Sequence, residues 1–163
     1  MALTGYLKLP DIDGESVRAD HEGEIDVHGV HWQVKQRSSA NIGSGRTQAR
    51  AEISGMTLYK VYDASSPYLA LTAMLGKAID EAVLMVRKDS GEAHLDYLTV
   101  TMKKCVIAEY EMTNDDPGED GSQVIREKLV LSFEEVAIKY VVQADDHSKG
   151  DEHEIEYSVA AGK

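Results

Sequence analysis

The sequence contains a single cysteine, Cys105, which excludes an intrachain disulfide. Cys105 opens the apolar stretch 105–108, where a thiol packs as a small hydrophobe, and no activating base stands near it in sequence. Positive charge is scarce: 17 Lys and Arg face 29 Asp and Glu, a net charge of −12. Phosphate backbones would repel such a chain, and no basic stripe interleaved with aromatics offsets the repulsion, so nucleic acid is not expected as a partner. Anionic membrane surfaces are disfavoured for the same reason. No apolar run approaches the ~20 residues that span a bilayer, so membrane insertion is not expected. The first ten residues carry one lysine and neither a long apolar core nor a small-residue cleavage site. That reads as a chain without a secretory signal, and by itself points to the cytoplasm.

Constellations for chemistry are also missing. Gly43-Ser44-Gly45 lacks the following lysine of a phosphate loop and does not lie between a strand and a helix. No serine occupies a nucleophile-elbow context. None of the many carboxylates stands in an apolar setting that would raise its pKa for acid–base work. The acidic turn with Asp115, Asp116, Glu119 and Asp120 around Pro117-Gly118 lacks the ligand spacing of a calcium loop and reads as solvated. No catalytic residue, cofactor or metal is expected.

What the sequence does contain is strand patterning. A length of 163 residues suggests one domain, and such a chain buries roughly two-thirds of its unfolded surface without help from metal or disulfide. Alternating apolar and polar segments are separated by Gly, Asp and Ser turns. They fall at 5–9, 24–34, 51–62, 82–88, 95–103, 105–112, 124–133 and 136–142, with Ile155, Tyr157 and Val159 as a last strand in a polar tail from about 143 to 163. Within 24–34 the apolar phase switches from Ile25 and Val27 to Val30, Trp32 and Val34. A β-bulge at Gly29 would produce that switch and would bring Asp26, His28, His31 and Gln33 to one polar face. His21 follows Asp20 in a turn. One helix is expected, with Ser66 as cap, Pro67 at its first position and Gly76 as terminator. Tyr68, Leu71 and Leu75, with Leu69 and Thr72, give it a one-sided apolar stripe that should pack on a sheet. The stretch 37–50 has no apolar periodicity and is long for a connection, so it reads as either a functional or a disordered loop. Many short strands with one helix argue for a mainly-β barrel or sandwich.

Taken in order, these segments resemble the haemolysin-coregulated protein (Hcp) family of type VI secretion systems. Ile12-Asp13-Gly14-Glu15-Ser16, His21 and Glu24-Ile25-Asp26-Val27 look like its opening signature. The family often has two tryptophans one residue apart, where this chain has Val30 and Trp32. Ser66-Pro67-Tyr68-Leu69 through Gly76-Lys77 is similar to the family's single helix. Val86-Arg87-Lys88, Gly91-Glu92 and Tyr97-Leu98-Thr99-Val100-Thr101-Met102 are similar to its central hairpin. Glu127-Lys128-Leu129-Val130-Leu131-Ser132-Phe133 and 136–140 resemble its late strands, so the similarity runs over roughly residues 3 to 142.

The resemblance implies a single domain over 1–163: a β-barrel of two packed antiparallel sheets with one flanking helix and a long extended loop. It implies a structural role, as a homohexameric ring that stacks into the tube of a contractile machine and carries small effectors in its lumen. The partners it implies are other copies of the chain and the spike, sheath and effector proteins of that machine. The protein would assemble in the bacterial cytoplasm and leave through the apparatus without a signal peptide. A phage-like tail tube of another contractile injection system is the nearest alternative. On this reading Asp26, His28, His31 and Gln33 face the lumen. The loop 37–50, with Arg37, Ile42, Gly43, Gly45, Arg46 and Arg50, reaches a neighbouring subunit or ring.

Overall fold

The computed structural model describes residues 3–36, 51–90, 93–114, 124–146 and 148–163. The loop residues 37–50, the acidic residues 115–120 and His147 lie outside the described residues. The alternation read in the sequence becomes the strands β1 (Gly5–Lys8), β2 (Ile25–Val27), β3 (Gly29–His31), β4 (Val34–Lys35), β5 (Glu52–Ile53) and β6 (Met56–Val61). Helix α1 (Ser66–Leu75) follows, then β7 (Ala78–Ser90), β8 (Ala93–Thr113), β9 (Arg126–Ser132), β10 (Glu135–Gln143) and β11 (Lys149–Ser158). The polar tail therefore holds a ten-residue strand, β11, which pairs with β10.

The strands pair antiparallel in the order β2-β1-β7-β8-β9-β6-β3, with β10 beside β8 and β11 beside β10. The hinge of this sheet is β8, 21 residues long, which changes partner midway. Its residues 98–103 pair with 135–140 of β10, and 106–113 with 126–132 of β9. At the junction Lys104 has φ +54°, and opposite it the Glu134 N–H donates to the Lys103 carbonyl at 3.1 Å. The left-handed residue and the change of partner fall together, as at a corner between two parts of a folded sheet.

The core lies inside that fold. Leu7, Ile25, Leu58, Leu69, Leu84, Met102, Leu129 and Leu131 are fully buried in one cluster. The mainly-β architecture with one helix is as expected. The described residues form two sheets, one of nine strands and a two-stranded ribbon of β4 and β5, but the pairings follow an open path and do not close the expected barrel. Both ends of the path nevertheless lie in one segment, because only His28 separates β2 from β3, and its N–H donates to the Tyr59 carbonyl at 2.8 Å.

The phase switch at Gly29 arises differently from the expected bulge. The segment changes partner there, β2 pairing with β1 and β3 with β6, and no register shift occurs at Gly29. A Cβ at this position would sit 3.1 Å from the Tyr59 ring, a tight contact that glycine avoids. Val30 and Val34 accordingly point to solvent, and Trp32 is half-buried.

Only part of the helix's expected stripe turns inward. Its buried residues are Ser66, Leu69 and Thr72, whereas Tyr68, Leu71 and Leu75 are exposed. The N-cap is Ser65, one residue before the expected one, and Gly76 ends the helix in the left-handed region at φ +60°.

Candidate functional site

Asp26 stands on β2 opposite Tyr6 and is half-buried. His28, His31 and Gln33 are exposed, at the junction of β2 and β3, the end of β3 and just beyond it. The chain after His31 is held by Ser54. The Gln33 N–H donates to Ser54 Oγ and the Ser54 N–H to the Gln33 carbonyl, both at 3.0 Å. Trp32 Nε1–H donates to the Ser54 carbonyl at 3.0 Å, and its ring tilts against Phe133 at 6.4 Å. Val34 and Lys35 of β4 pair with Ile53 and Glu52 of β5, so the two ends of the loop 37–50 are held side by side.

Two buried polar networks were not foreseen. In the first, His21 is buried between two carboxylates: Nδ1 lies 2.7 Å from Glu24 Oε2 and Nε2 2.9 Å from Asp96 Oδ2. Each ring nitrogen therefore faces a carboxylate oxygen within hydrogen-bond distance. Its ring stacks on Tyr6 at 4.1 Å and 7°. Arg87 Nε donates to Asp96 Oδ1 at 2.9 Å and Nη1 to the Ala19 carbonyl at 3.2 Å. Burial would push the Asp96 carboxyl up, but the hydrogen bonds from Arg87 and His21 outweigh it and hold it below the ordinary carboxylate value. The network pins the loop between β1 and β2 to the β7–β8 hairpin.

The second network lies beneath the start of α1. Lys60 and Glu127 occupy directly paired positions on β6 and β9, and both side chains are fully buried. Lys60 Nζ donates to Glu127 Oε1 and Oε2 at 3.1 and 3.2 Å, to Asp63 Oδ1 at 3.1 Å, to Ser66 Oγ at 3.0 Å and to the Val61 carbonyl at 3.1 Å. The Ser66 hydroxyl donates to Glu127, and Asp63 accepts from the Ser65 N–H at 2.9 Å and from the Ser65 hydroxyl. Burial first, and then the Glu127 carboxylate, push the Tyr110 phenol well above its ordinary value.

Neither network offers a reaction centre. Ser66 and Lys60 resemble a serine with its lysine base, but both are buried and the ammonium is committed to carboxylates. Cys105 is buried, and desolvation pushes its thiol up to about 11, which suppresses the nucleophilic thiolate.

Comparison with known proteins follows the same line. Residues 6–140 match the family model described as "Type VI secretion system effector, Hcp". Protein hcp1 of Pseudomonas aeruginosa is 31% identical over 149 residues, covering 91% of this chain and 90% of that protein. The crystal structure of Hcp1 from Salmonella typhimurium superposes with a TM-score of 0.78 at 31% identity, covering 99% of this chain and 97% of the other. A type VI secretion system effector from Yersinia pestis gives a TM-score of 0.73 at 26% identity, with 95% and 99% covered.

Proposed function

The chain belongs to the Hcp family, the tube proteins of type VI secretion systems, and from that premise we propose that six copies close into a ring and that rings stack into the inner tube. The observation that carries this reading is the end-to-end likeness to the Hcp1 structure from Salmonella typhimurium at 31% identity. The folded sheet is then a barrel, a reading favoured by the two ends of its strand path meeting in segment 25–31. The whole of 1–163 acts as one structural, non-enzymatic domain, in line with the burial of Cys105, Lys60 and Ser66. It assembles in the bacterial cytoplasm and is exported through the apparatus, with spike, sheath and effector proteins as its partners.

Asp26, His28, His31 and Gln33 line the lumen in this proposal, a placement supported by the exposure of the last three. The loop 37–50 contacts a neighbouring subunit or ring. Arg37, Arg46 and Arg50 would pair with carboxylates for up to ~1 kcal/mol each, so Ile42 contributes much of the contact, with Gly43 and Gly45 between them.

Light scattering on a size-exclusion column tests the ring: a mass near six times 17.9 kDa is expected. A monomer at every concentration rejects the tube reading. For the lumen, effector co-purification that is identical for wild type and His31→Ala would remove the histidines from the proposal.

A further inference from the structure

We infer that the open face of β8, β10 and β11 binds a short zwitterionic peptide, a ligand with a free amino group at one end and a carboxylate at the other. The site lies within one chain, so it goes beyond the ring proposed above and does not depend on it. Strand register builds it. On the face turned away from the buried Val100, Met102 and Val136, Lys103 of β8, Glu135 of β10 and Ser158 of β11 form one cross-strand row. Thr101, Ala137 and Glu156 form the next. The short side chains of Thr101 and Ala137 leave a groove of about 390 Å³ between the rows, within the range of small-ligand sites. Beyond Ser158 the chain turns back on itself. The Val159 N–H donates to the Glu134 carbonyl at 2.7 Å and the Gly162 N–H to the Ser158 carbonyl at 2.9 Å, and this turn brings Lys163 to the rim of the groove.

The charges in the groove are balanced and largely unpaired. Lys103 and Lys163 stand with Glu135 and Glu156, two of each sign on a chain that carries −12. Glu135 makes one long contact, to Lys104 at 3.8 Å. Among the described residues the side chains of Lys103, Glu156 and Lys163 make no ion pair. One row further along the same face the sheet does pair its charges: Lys139 meets Glu152 at 3.3 Å, and Lys149 meets the same carboxylate. Opposite charges that share a groove without satisfying one another are available to a ligand that carries both signs. A simple anion or a phosphate backbone would be met by the two carboxylates, and a cation by the two ammoniums, so ligands of one sign are disfavoured. Capture of terminal amino and carboxylate groups is an established way of recognising peptides.

Spacing sets the length of the ligand. Lys103 and Glu156 stand two strands and two residues apart. Their Cα atoms are thus roughly 10 Å apart across the sheet and 7 Å along it, a diagonal of about 12 Å. An extended tripeptide spans about 10 Å, at ~3.3–3.6 Å per residue. Its carboxylate then meets the Lys103 ammonium and its amino group the Glu156 carboxylate, while its backbone crosses Ala137. Glu135 and Lys163 flank that path, where they face the peptide N–H and C=O groups between the two ends.

Titration calorimetry of the full chain with trialanine tests the site. Wild type should bind with a Kd of ~1 mM or tighter. N-acetylated and C-amidated trialanine should each bind at least ten-fold more weakly. Lys103→Gln and Glu156→Gln should show losses of the same size, while Lys128→Gln, on β9 and outside the groove, binds like wild type. None of these three side chains is buried, and circular dichroism verifies that the variants fold. The capped ligands also locate the two ends: acetylation should cost nothing further in Glu156→Gln, and amidation nothing further in Lys103→Gln. Absence of trialanine binding, or binding that both caps leave unchanged, overturns the site. So does a loss in Lys128→Gln equal to that in the groove variants, which would mark a response to overall charge. None of these results alters the mass expected for the ring, so the two readings fail separately.

Discussion

Replacing Lys60 by methionine tests whether the buried network beneath α1 is held by its one ammonium. The substitution keeps most of the side chain's length and removes the five polar contacts shared by the ammonium's three N–H groups, two of them to Glu127. Glu127, whose side chain is fully buried, is left with the Ser66 and Tyr110 hydroxyls and no positive partner. Breaking one side of such a pair typically costs ~3–5 kcal/mol, because the remaining charge is stranded away from water. Domains are stable by only ~5–15 kcal/mol. At about 2–4 °C per kcal/mol for a chain of this size, the melting point should drop by ~6–20 °C. The double variant Lys60→Met, Glu127→Leu removes both charges, and Asp63 keeps the Ser65 N–H and hydroxyl. It should recover most of the loss, giving a coupling of ~2 kcal/mol or more in a double-mutant cycle. Urea unfolding at one fixed protein concentration measures all four proteins, since assembly shifts apparent stability by mass action. A single-variant loss below ~1 kcal/mol, or additive effects in the cycle, refutes the reasoning.

The acid limb of stability should depend on Asp96. Its folded value lies below the ordinary aspartate value, so its contribution is complete above the unfolded value and lost as the pH falls through the folded one. Asp96→Asn should therefore flatten the loss of stability below about pH 4, and a difference from wild type that stays constant from pH 6 to pH 2 argues against this. Cys105, buried and raised to about 11, should ignore a thiol reagent at about pH 8 until the protein is unfolded. Rapid labelling of the native protein would contradict that placement. A Cβ on Gly14 would meet the Glu24 carbonyl at 2.5 Å and Ile25 Cα at 2.6 Å. Gly14→Ala should cost ~1–3 kcal/mol by urea titration, through displacement of the loop that carries His21, and an unchanged midpoint would show that the loop yields freely.

Period and punctuation made the strands, the helix and the long hairpin legible, because both are local properties of the backbone. Which face of an element is covered is not local. The stripe of Tyr68, Leu71, Leu75, Leu69 and Thr72 is real as a pattern, but the sheet covers only Leu69 and Thr72 of it and leaves the other three in solvent. Val30 and Val34 misled in the same way, since a change of pairing partner imitates a bulge in the sequence. The Lys60–Glu127 pair, by contrast, had a readable signal. Lys60 shares the inward phase of Met56 and Leu58, and Glu127 that of Leu129 and Leu131. Opposite charges placed on the apolar phase of two strands are a reason to suspect that the strands pair with those residues in register. His21 had no comparable signal, because Asp96 is 75 positions away and only the folded chain brings them together.

The position of the Lys60 network bears on assembly as well as on stability. Replacement of a buried ion pair by apolar residues is often neutral for stability, so the pair must be judged by what it positions. Here Glu127 and Lys60 both bond the Ser66 hydroxyl, and Asp63 bonds the Ser65 N–H, fixing the first turn of α1 over β6 and β9. The same helix leaves Tyr68 and Leu71 exposed, where the ring proposed above can bring a neighbouring subunit against them. A helix whose first turn is held only by packing would present Tyr68 and Leu71 less uniformly, and part of the docking energy would go into ordering it. Lys60→Met, Glu127→Leu should therefore approach wild type in urea midpoint yet assemble at higher protein concentration, by about ten-fold in dilution experiments followed by light scattering. Equal midpoints with equal assembly would mean that packing on Leu69 and Thr72 alone sets the helix, and that the buried charges have no part in the ring.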